Sequence, residues 1–158
     1  MSTDDSKNKM VKKTKKLKES LREYGKGFFL VTMPAIIFDT SKRKILIGRR
    51  EKDPHIKKLK WCFPSCRPTY HESIDGALKR RMKEKTGMKI ENLGPVFARV
   101  LDENDNFLLI YYLCEAVGGK EKPGDDLVEL KWVSPKDLEK YFTTSFDPKL
   151  KEYVMNLK

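Results

Sequence analysis

The chain has 158 residues and a net charge of +11, enough length for one domain with a substantial core. The charge favours an anionic partner without specifying nucleic acid. The longest apolar run, residues 28–38, contains Thr32 and Pro34 and is too short to span a membrane. Three cysteines argue against a disulfide framework, and the lysine-rich start shows no secretory signal, so we expect a cytoplasmic protein.

The first 24 residues are predicted to form a basic N-terminal extension, helical or disordered. They hold seven lysines and one arginine against four acidic residues, a net of +4. Leu17, Leu21 and Tyr24 are spaced at i, i+4 and i+7, which predicts a short helix over about residues 11–24 that packs weakly through one narrow stripe. Two interpretations stay open: contact with RNA or another polyanion, and a solvated extension without a partner.

A hinge at Gly25 and Gly27 separates this extension from a domain that we expect over residues 25–158. Apolar segments in that domain predict strands over residues 28–38, 44–49, 89–101, 106–117 and 127–133. The fourth of these is almost continuously apolar, so we expect it at the centre of the sheet. Pro34 has no N–H to donate and is expected at a sheet edge or a bulge.

The segment between the second and third of these strands has a strand, loop and helix pattern. The helix is predicted to start after Ser73, whose hydroxyl can cap it, and to end at Gly87, which tolerates a left-handed conformation. One predicted apolar stripe contains Ile74, Ala77, Leu78 and Met82. A second face of the helix is expected to carry Arg81, Glu84 and Lys85.

Two further short helices are predicted near the end of the chain. Ser134 with Pro135 opens one and Asp147 with Pro148 opens the other, because serine and aspartate cap helices and proline suits the first helical position. The buried stripe of the second helix is predicted to contain Leu150, Tyr153, Val154 and Leu157.

The segment over residues 66–88 resembles the Nudix box, G-x5-E-x7-R-E-U-x-E-E-x-G-U, in which U is a bulky aliphatic residue. The matching positions are Glu72, Arg80, Met82, Glu84, Gly87 and Met88. The preceding Trp61-Cys62-Phe63-Pro64 resembles the W-x-F-P lead-in, and residues 129–133 resemble an E-x-x-W-V closing strand. The resemblance implies an α/β fold, a Nudix-type α/β/α sandwich with a mixed central sheet over residues 27–158.

The resemblance also implies a hydrolase of a nucleotide or a nucleoside-diphosphate-linked phosphoanhydride that uses Mg²⁺ or Mn²⁺. It assigns catalytic roles to Glu72 and Glu84, and makes Glu84 a metal ligand. Three departures stand against it: Cys66 replaces the first glycine, and Arg81 and Lys85 replace two glutamates of the helix. Because magnesium prefers oxygen ligands, we expect weakened or altered metal dependence.

Two interpretations of these helix cations stay open. They form a solvated charge cluster, or they bind phosphate directly, arginine as a two-pronged donor and lysine as a point charge. In Nudix folds the charged loop over residues 49–60 lies near the substrate. The candidate substrate-binding residues are therefore Arg50, Lys60, Arg80, Arg81 and Lys85.

The residues leave other activities open beside the hydrolase. A non-catalytic module that binds nucleotide or RNA phosphate would need only the cations. The sequence also leaves open whether the protein forms an oligomer. An isopentenyl-diphosphate-isomerase-like enzyme shares the tryptophan–cysteine spacing and the paired arginines, but lacks the expected histidines. In many Nudix relatives a base or an extra metal ligand comes from a loop outside the box, and the resemblance makes Asp125, Asp126 and Glu129 the candidates here. Zinc on Cys62, Cys66 and His71 lacks a second ligand pair.

Overall fold

The computed structural model describes residues 3–23 and 27–157. The helices are α1 (Thr3–Glu23), α2 (Ile74–Thr86), α3 (Leu138–Tyr141), preceded by a 3₁₀ turn (Pro135–Asp137), and α4 (Pro148–Met155). The strands are β1 (Leu30–Asp39), β2 (Lys44–Arg50), β3 (Trp61–Cys62), β4 (Ser65–Cys66), β5 (Met88–Val100), β6 (Phe107–Gly119) and β7 (Leu127–Val133).

The strands form a mixed seven-stranded sheet. Its main order is β3-β2-β1-β6-β5, with β4 beside β1 and β7 beside β2. β1 and β6 run parallel, while the other described pairs are antiparallel. The central position predicted for the strand at 106–117 is therefore confirmed, since β6 lies between β1 and β5.

β1 and β2 separate beyond a short stretch of pairing. They pair only where Ile37–Asp39 meets Lys44–Leu46. Beyond it, β4 pairs with β1 and β3 pairs with β2, so residues 61–66 fill the gap between the two strands. Backbone hydrogen bonds from Ala35 N to Pro64 O (2.8 Å) and from Arg50 N to Lys60 O (2.7 Å) continue this insertion. The separation places the box segment against the sheet.

The expectation for Pro34 was wrong. Pro34 lies inside the sheet, in register with Ser65 of β4, rather than at an edge or a bulge. It falls where β1 changes partner on one side from β4 to β2. A missing N–H is tolerated there because the ladder is already interrupted.

Both faces of the sheet are covered. On one face, Met33, Ala35 and Ile37 of β1 pack with Leu78 and Met82 of α2. On the other face, buried residues of β1 and β2 pack with the C-terminal helices, in a cluster that includes Ile36, Phe38, Ile45, Leu138, Leu150 and Val154. Burial of each large side chain contributes roughly 1.5–3 kcal/mol. The predicted α/β/α sandwich is confirmed.

The start and end of α2 follow the prediction, and its apolar stripe does so in part. The Ser73 hydroxyl accepts a hydrogen bond from Gly76 N (3.0 Å), and Gly87 has a φ of +75°. A Cβ on Gly87 would lie 2.2 Å from the Lys120 carbonyl oxygen, so the position requires glycine. Ala77, Leu78 and Met82 are buried, but Ile74 is 43% exposed, so its place in the buried stripe was wrong.

The C-terminal helices agree with the prediction except at one cap. Asp147 caps α4 by accepting from Lys149 N (2.8 Å), and Leu150 and Val154 are buried. Ser134 makes no side-chain capping bond, so its capping role was wrong. The turn there is 3₁₀ before it becomes α-helical, which tightens the backbone around the first N–H groups.

α1 is longer than the helix predicted over residues 11–24. Leu17 is 59% exposed, so the predicted packing through its stripe was wrong at this residue. Neighbouring Met10 and Val11 are exposed as well. Tyr24 and Gly25 lie outside the described residues, as does the last residue of the predicted domain. None of the helices in the described part of the chain has the length and apolar character needed to cross a membrane.

Candidate functional site

A cavity of about 470 Å³ lies on the sheet face that also carries the C-terminal helices. β1 contributes Thr32 and Pro34 to its wall, and β6 contributes Leu109 and Tyr111. The box segment and the segment between α3 and α4 complete it. Its lining divides into a charged end, beside α2, and an aromatic end, beside residues 142–146.

The charged end brings together four of the five predicted substrate-binding residues. Arg50, Arg80, Arg81 and Lys85 all line the cavity, although they come from β2 and α2. Lys60 is exposed in the preceding loop and is not among the lining residues. Four cations in one wall can meet the charge of a phosphate or a diphosphate.

Arg80 connects the two predicted catalytic glutamates. Its Nε and Nη2 donate to the two oxygens of Glu72 (both 2.9 Å), and its Nη1 donates to Glu84 Oε1 (3.0 Å). The hydrogen bonds from Arg80 and from the Thr69 hydroxyl lower the pKa of Glu72 to about 2. Hydrogen bonds from Arg81 and Arg80 also lower the pKa of Glu84. Both carboxylates are therefore ionised at neutral pH and are weak bases.

The two cations that depart from the box are paired with acids from another part of the chain. Arg81 donates to Glu84 and to Asp125 (both 2.5 Å). Lys85 is only 5% exposed, and its Nζ lies 3.1 Å from Asp126 Oδ1. The interpretation of a solvated cluster was therefore wrong for Lys85. Its aliphatic stem is buried in the fold, with the ammonium group beside a carboxylate.

Arg50 extends this pairing. Its Nη2 lies 2.9 Å from Asp126 Oδ2, and its Nη1 lies 2.9 Å from Asp53 Oδ2. Asp53 is almost fully buried, with a side chain only 4% exposed. Asp126 therefore lies between Arg50 and Lys85, and the charged end is a connected network rather than separate surface charges.

A turn over residues 120–126 positions these acids on α2. Gly124 N donates to Lys85 O (3.0 Å) and Lys122 N donates to Thr86 O (2.9 Å), so the turn caps the end of the helix. A Cβ on Gly124 would lie 2.3 Å from Glu84 O. Sequence reasoning named Asp125 and Asp126 as candidate bases but missed their pairing with Arg81 and Lys85. The third loop candidate, Glu129, accepts instead from Arg49 (2.9 Å) outside the cavity wall.

The donor set does not fit a conventional divalent metal site. Among the described residues, no group of three or more histidine, cysteine, aspartate and glutamate side chains is arranged to hold a metal ion. Both oxygens of Glu84 accept from arginines. Magnesium needs several oxygen ligands, and the helix offers cations where further carboxylates would be required.

The cysteines of the box segment are neutral thiols. Burial raises the pKa of Cys62 to about 12 and also raises the pKa of Cys66. His71 is exposed and does not form a metal-binding group with them in the described part of the chain.

Unpaired polar atoms concentrate in the residues of the cavity wall. The buried side-chain atoms without a hydrogen-bond partner in the described residues are Thr32 Oγ1, Arg50 Nε and Asp126 Oδ1. All three residues line the cavity. Asp126 Oδ1 is close to Lys85 Nζ, but the geometry is not that of a hydrogen bond. Since buried polar atoms are normally paired, these groups indicate a site completed by a ligand or by water.

The mixed seven-stranded sheet with helices on both faces matches the fold of one family. The family model described as NUDIX domain matches residues 29–154. The chain belongs to the NUDIX family, in which hydrolases of nucleotide-type substrates generally use divalent metals.

The chain is also similar to individual members of this family. It is 28% identical over 123 residues to the ADP-ribose pyrophosphatase of Methanocaldococcus jannaschii. This alignment covers 73% of this chain and 70% of the pyrophosphatase. Its fold is similar to that of the MutT protein of Methanosarcina mazei Go1, with a TM-score of 0.65 and 20% sequence identity. The aligned region covers 82% of this chain and 94% of the MutT protein. The fold is also similar to that of an ADP-ribose pyrophosphatase of Streptococcus suis 89-1591, with a TM-score of 0.59 and 22% sequence identity. That alignment covers 78% of this chain and 88% of the pyrophosphatase.

Proposed function

We propose that this chain is a hydrolase of a nucleotide or a nucleoside-diphosphate-linked phosphoanhydride with altered metal dependence. Protein cations would supply part of the positive charge that metal ions supply in the family. The observation that carries the proposal is that Arg50, Arg80, Arg81 and Lys85 share one cavity wall that contains unpaired polar atoms. The similarity to an ADP-ribose pyrophosphatase supports a substrate with two linked phosphates.

Each cation has a distinct part in binding. Arg81 is 28% exposed in its side chain, and phosphate oxygens can compete with Asp125 for its guanidinium group. Lys85 and Arg50 are more deeply placed and fixed by Asp126, so they act as preorganised N–H donors towards the ligand. Arg80 is oriented by Glu72 and Glu84, whose lowered pKa values keep them ionised.

In hydrolysis, the oxygen of water forms a bond to one phosphorus atom while the bridging P–O bond breaks. The departing phosphate keeps the electron pair of that bond, and the cations stabilise the charge as it develops. We assign Asp126 the role of holding Arg50 and Lys85 in the cavity wall, because its carboxylate lies against both cations, while the proton of the attacking water passes to solvent.

A second candidate is a module that binds the same ligand without cleaving it. One observation favours it: Glu72, Glu84, Asp125 and Asp126 all lie against arginine or lysine nitrogens. These contacts satisfy the carboxylates electrostatically and leave fewer oxygen ligands for a metal. The cations would then give affinity without turnover.

The exposed lysines of α1 support an additional role in binding a polyanion. Seven lysines of α1 are exposed: Lys7, Lys9, Lys12, Lys13, Lys15, Lys16 and Lys18. We propose that α1 increases the affinity for ligands that carry an RNA chain. Such an effect weakens steeply as salt rises, because binding releases counterions.

The decisive experiment measures turnover and binding together. ADP-ribose, nucleoside diphosphates, dinucleoside polyphosphates and capped RNA would be tested with Mg²⁺, with Mn²⁺ and with chelator. We expect hydrolysis that changes less than tenfold on chelation. Binding without turnover would establish the second candidate, and absence of both would overturn the proposal. Capped RNA measured at two salt concentrations reports on α1.

Variants assign the outcome to residues. Asp126→Asn should reduce turnover at least tenfold, and Arg81→Gln should weaken binding about tenfold, because one charge-assisted contact is lost. Lys89→Gln is the matched control, since Lys89 is exposed and lies outside the cavity wall. Equal effects in all three variants would contradict the assignment.

A further inference from the structure

The mixed sheet ends in two outer strands, β5 and β7, and they differ in their capacity to pair with a further strand. β2 carries β1 and β3 on one side and β7 on the other, so β7 has no second neighbour among the described strands. β5 pairs with β6 alone in the same part of the chain. Because β5 contains Pro95, which has no N–H, and its register shifts at three places, its free edge is a poor template for another strand.

β7 lacks the features that protect β5. Its residues, Leu127–Val133, include neither proline nor glycine, so each of them carries a backbone N–H and a side chain. Its pairing with β2 is regular except at the Leu127 end. Within the described residues, the one backbone hydrogen bond that β7 makes outside this pairing runs from Leu127 N to Gly124 O (3.1 Å). The outer backbone groups of β7 are therefore open to a second strand.

The sequence of β7, Leu-Val-Glu-Leu-Lys-Trp-Val, complements itself when two copies run antiparallel. With Leu130 opposite its own copy, Val128 of one chain lies opposite Trp132 of the other. In the same register Glu129 lies opposite Lys131. Since side chains alternate between the two faces of a strand, the apolar pairs share one face and the charged pairs share the other. Leu130 and Trp132 belong to the face that packs towards α2.

The charged face has binding capacity that the chain itself does not use. The Glu129 side chain is 52% exposed, and its Oε2 accepts from Arg49 Nε (2.9 Å). Lys131 is exposed and forms no ion pair with a described residue, while its Nζ lies 4.9 Å from the centre of the Tyr141 ring. Opposite charges directly across a strand pair attract and like charges repel. A second copy in this register adds two glutamate–lysine pairs.

The apolar face gains cover from the same register. Val128 is 46% exposed, although valine is typical of buried strands. A second copy would place Trp132 against it, and aromatic residues opposite β-branched residues are favourable pairs in sheets. The indole is already oriented, because Trp132 Nε1 donates to Glu121 Oε1 (2.5 Å). Both faces of β7 therefore match a second β7.

We propose that β7 is a homodimer interface, in which two copies of this chain pair antiparallel through Leu127–Val133 about a two-fold axis at Leu130. Such an interface uses the same patch on both subunits, which explains why the strand matches itself on its apolar face and on its charged face. The sheet runs through both copies. The inference does not depend on the ligand of the cavity. Since each chain carries a net charge of +11, the dimer is weak and dissociates at micromolar concentrations.

A charge exchange across the interface tests this proposal. Sedimentation equilibrium would be measured for the full chain, for Glu129→Lys, for Lys131→Glu and for an equimolar mixture of the two variants. Either variant alone places like charges opposite each other twice, so self-association should weaken at least tenfold. The mixture restores two pairs of opposite charge and should dimerise with about the wild-type affinity.

The matched control makes the same two charge changes on the other outer strand. Glu91→Lys and Lys89→Glu alter exposed residues of β5, and both variants should keep the wild-type dimer. Thermal unfolding of every variant, measured at the same chain concentration, shows whether a lost dimer reflects a lost fold.

Disulfide trapping tests the register. Leu130→Cys places a thiol beside the same thiol of the second copy, because opposed residues have Cα atoms about 4.5–5.5 Å apart, a distance that a disulfide spans. Diamide should therefore convert this variant to a covalent dimer on a non-reducing gel. In Val128→Cys the two new thiols would lie about 14 Å apart along the strands and should not join. The wild-type chain under diamide is the control for Cys62, Cys66 and Cys114.

Three results would overturn the proposal. The first is a wild-type chain that stays monomeric up to about 1 mM, whatever other strand the edge accepts. The second is a dimer that neither charge variant weakens, or folded variants whose mixture does not restore it. The third is trapping that is as efficient through Val128→Cys as through Leu130→Cys. Recovery in the mixture together with trapping at Leu130→Cys alone would establish the interface and its register.

Discussion

Two sets of ion pairs meet on α2, and they differ in burial. The set that follows the Nudix box joins Glu72, Arg80 and Glu84, whose side chains are 26%, 45% and 44% exposed. The set that departs from the box joins Lys85, with a side chain 6% exposed, to Asp126 at 31%. The residues that match the family therefore lie nearer to solvent than the lysine that replaces a family carboxylate.

This difference in burial predicts that the two sets of ion pairs contribute differently to the stability of the fold. Exposed ion pairs contribute about 0–1 kcal/mol, whereas breaking a buried pair costs roughly 3–5 kcal/mol. Lys85 is thus part of the folded core as well as part of the cavity wall. A simple return to the family's glutamate would place a second carboxylate beside Asp126.

The largest effect is expected from Lys85→Glu. The variant should lower the free energy of unfolding by roughly 3–5 kcal/mol, because two carboxylates would meet in a mostly buried site. Denaturant unfolding measures this change. Lys83→Glu is the control on the same helix, since Lys83 is exposed, and should cost about 1 kcal/mol or less.

Adding Asp126→Asn to Lys85→Glu sharpens the result. The double variant should recover at least half of the lost stability, because the repulsion is removed and Arg50 keeps Asp53 as an anionic neighbour. Additive losses in the double variant would show that Lys85 and Asp126 do not interact energetically. A stable double variant also restores the family's carboxylate for the metal-dependence measurement.

A smaller effect is expected when the turn that carries the acids is displaced. In Gly124→Ala the new methyl group would lie 2.3 Å from Glu84 O, so the turn must move away from α2. We expect a loss of about 1–3 kcal/mol in thermal or denaturant unfolding. Gly118→Ala is the control, because its nearest contact would be 3.8 Å away. A neutral Gly124→Ala would contradict the anchoring of Asp125 and Asp126.

The smallest energetic effect belongs to the exposed set. The pKa of Glu72 should be about 2 by NMR titration and should rise towards its ordinary value of 4.5 in Arg80→Met. Since the folded-state pKa is lowered, this contact stabilises the fold above about pH 4.5 and is lost as pH falls through about 2. Lys79→Met should leave the titration unchanged, and a wild-type value near 4.5 would refute the contact.

Local patterns predicted the elements well. The strand at 127–133 and the end of α2 at Gly87 follow directly from apolar runs, a serine cap and a glycine that adopts positive φ. Prediction failed where the outcome depended on remote partners. Pro34 was misplaced because the sheet tolerates a proline where β1 changes its partner strand from β4 to β2. Leu17 was predicted to pack against the domain, but a helical period does not show which residues, if any, cover an apolar stripe.

The sequence by itself determined the family and its fold, because the box residues lie within one strand–loop–helix segment and local geometry sets their spacing. Only the tertiary structure decided the state of the two replacement cations. Asp125 and Asp126 lie some forty residues after Arg81 and Lys85, and the turn at Gly124 brings them together. Burial and charge compensation depend on such long-range contacts, which a linear pattern does not contain.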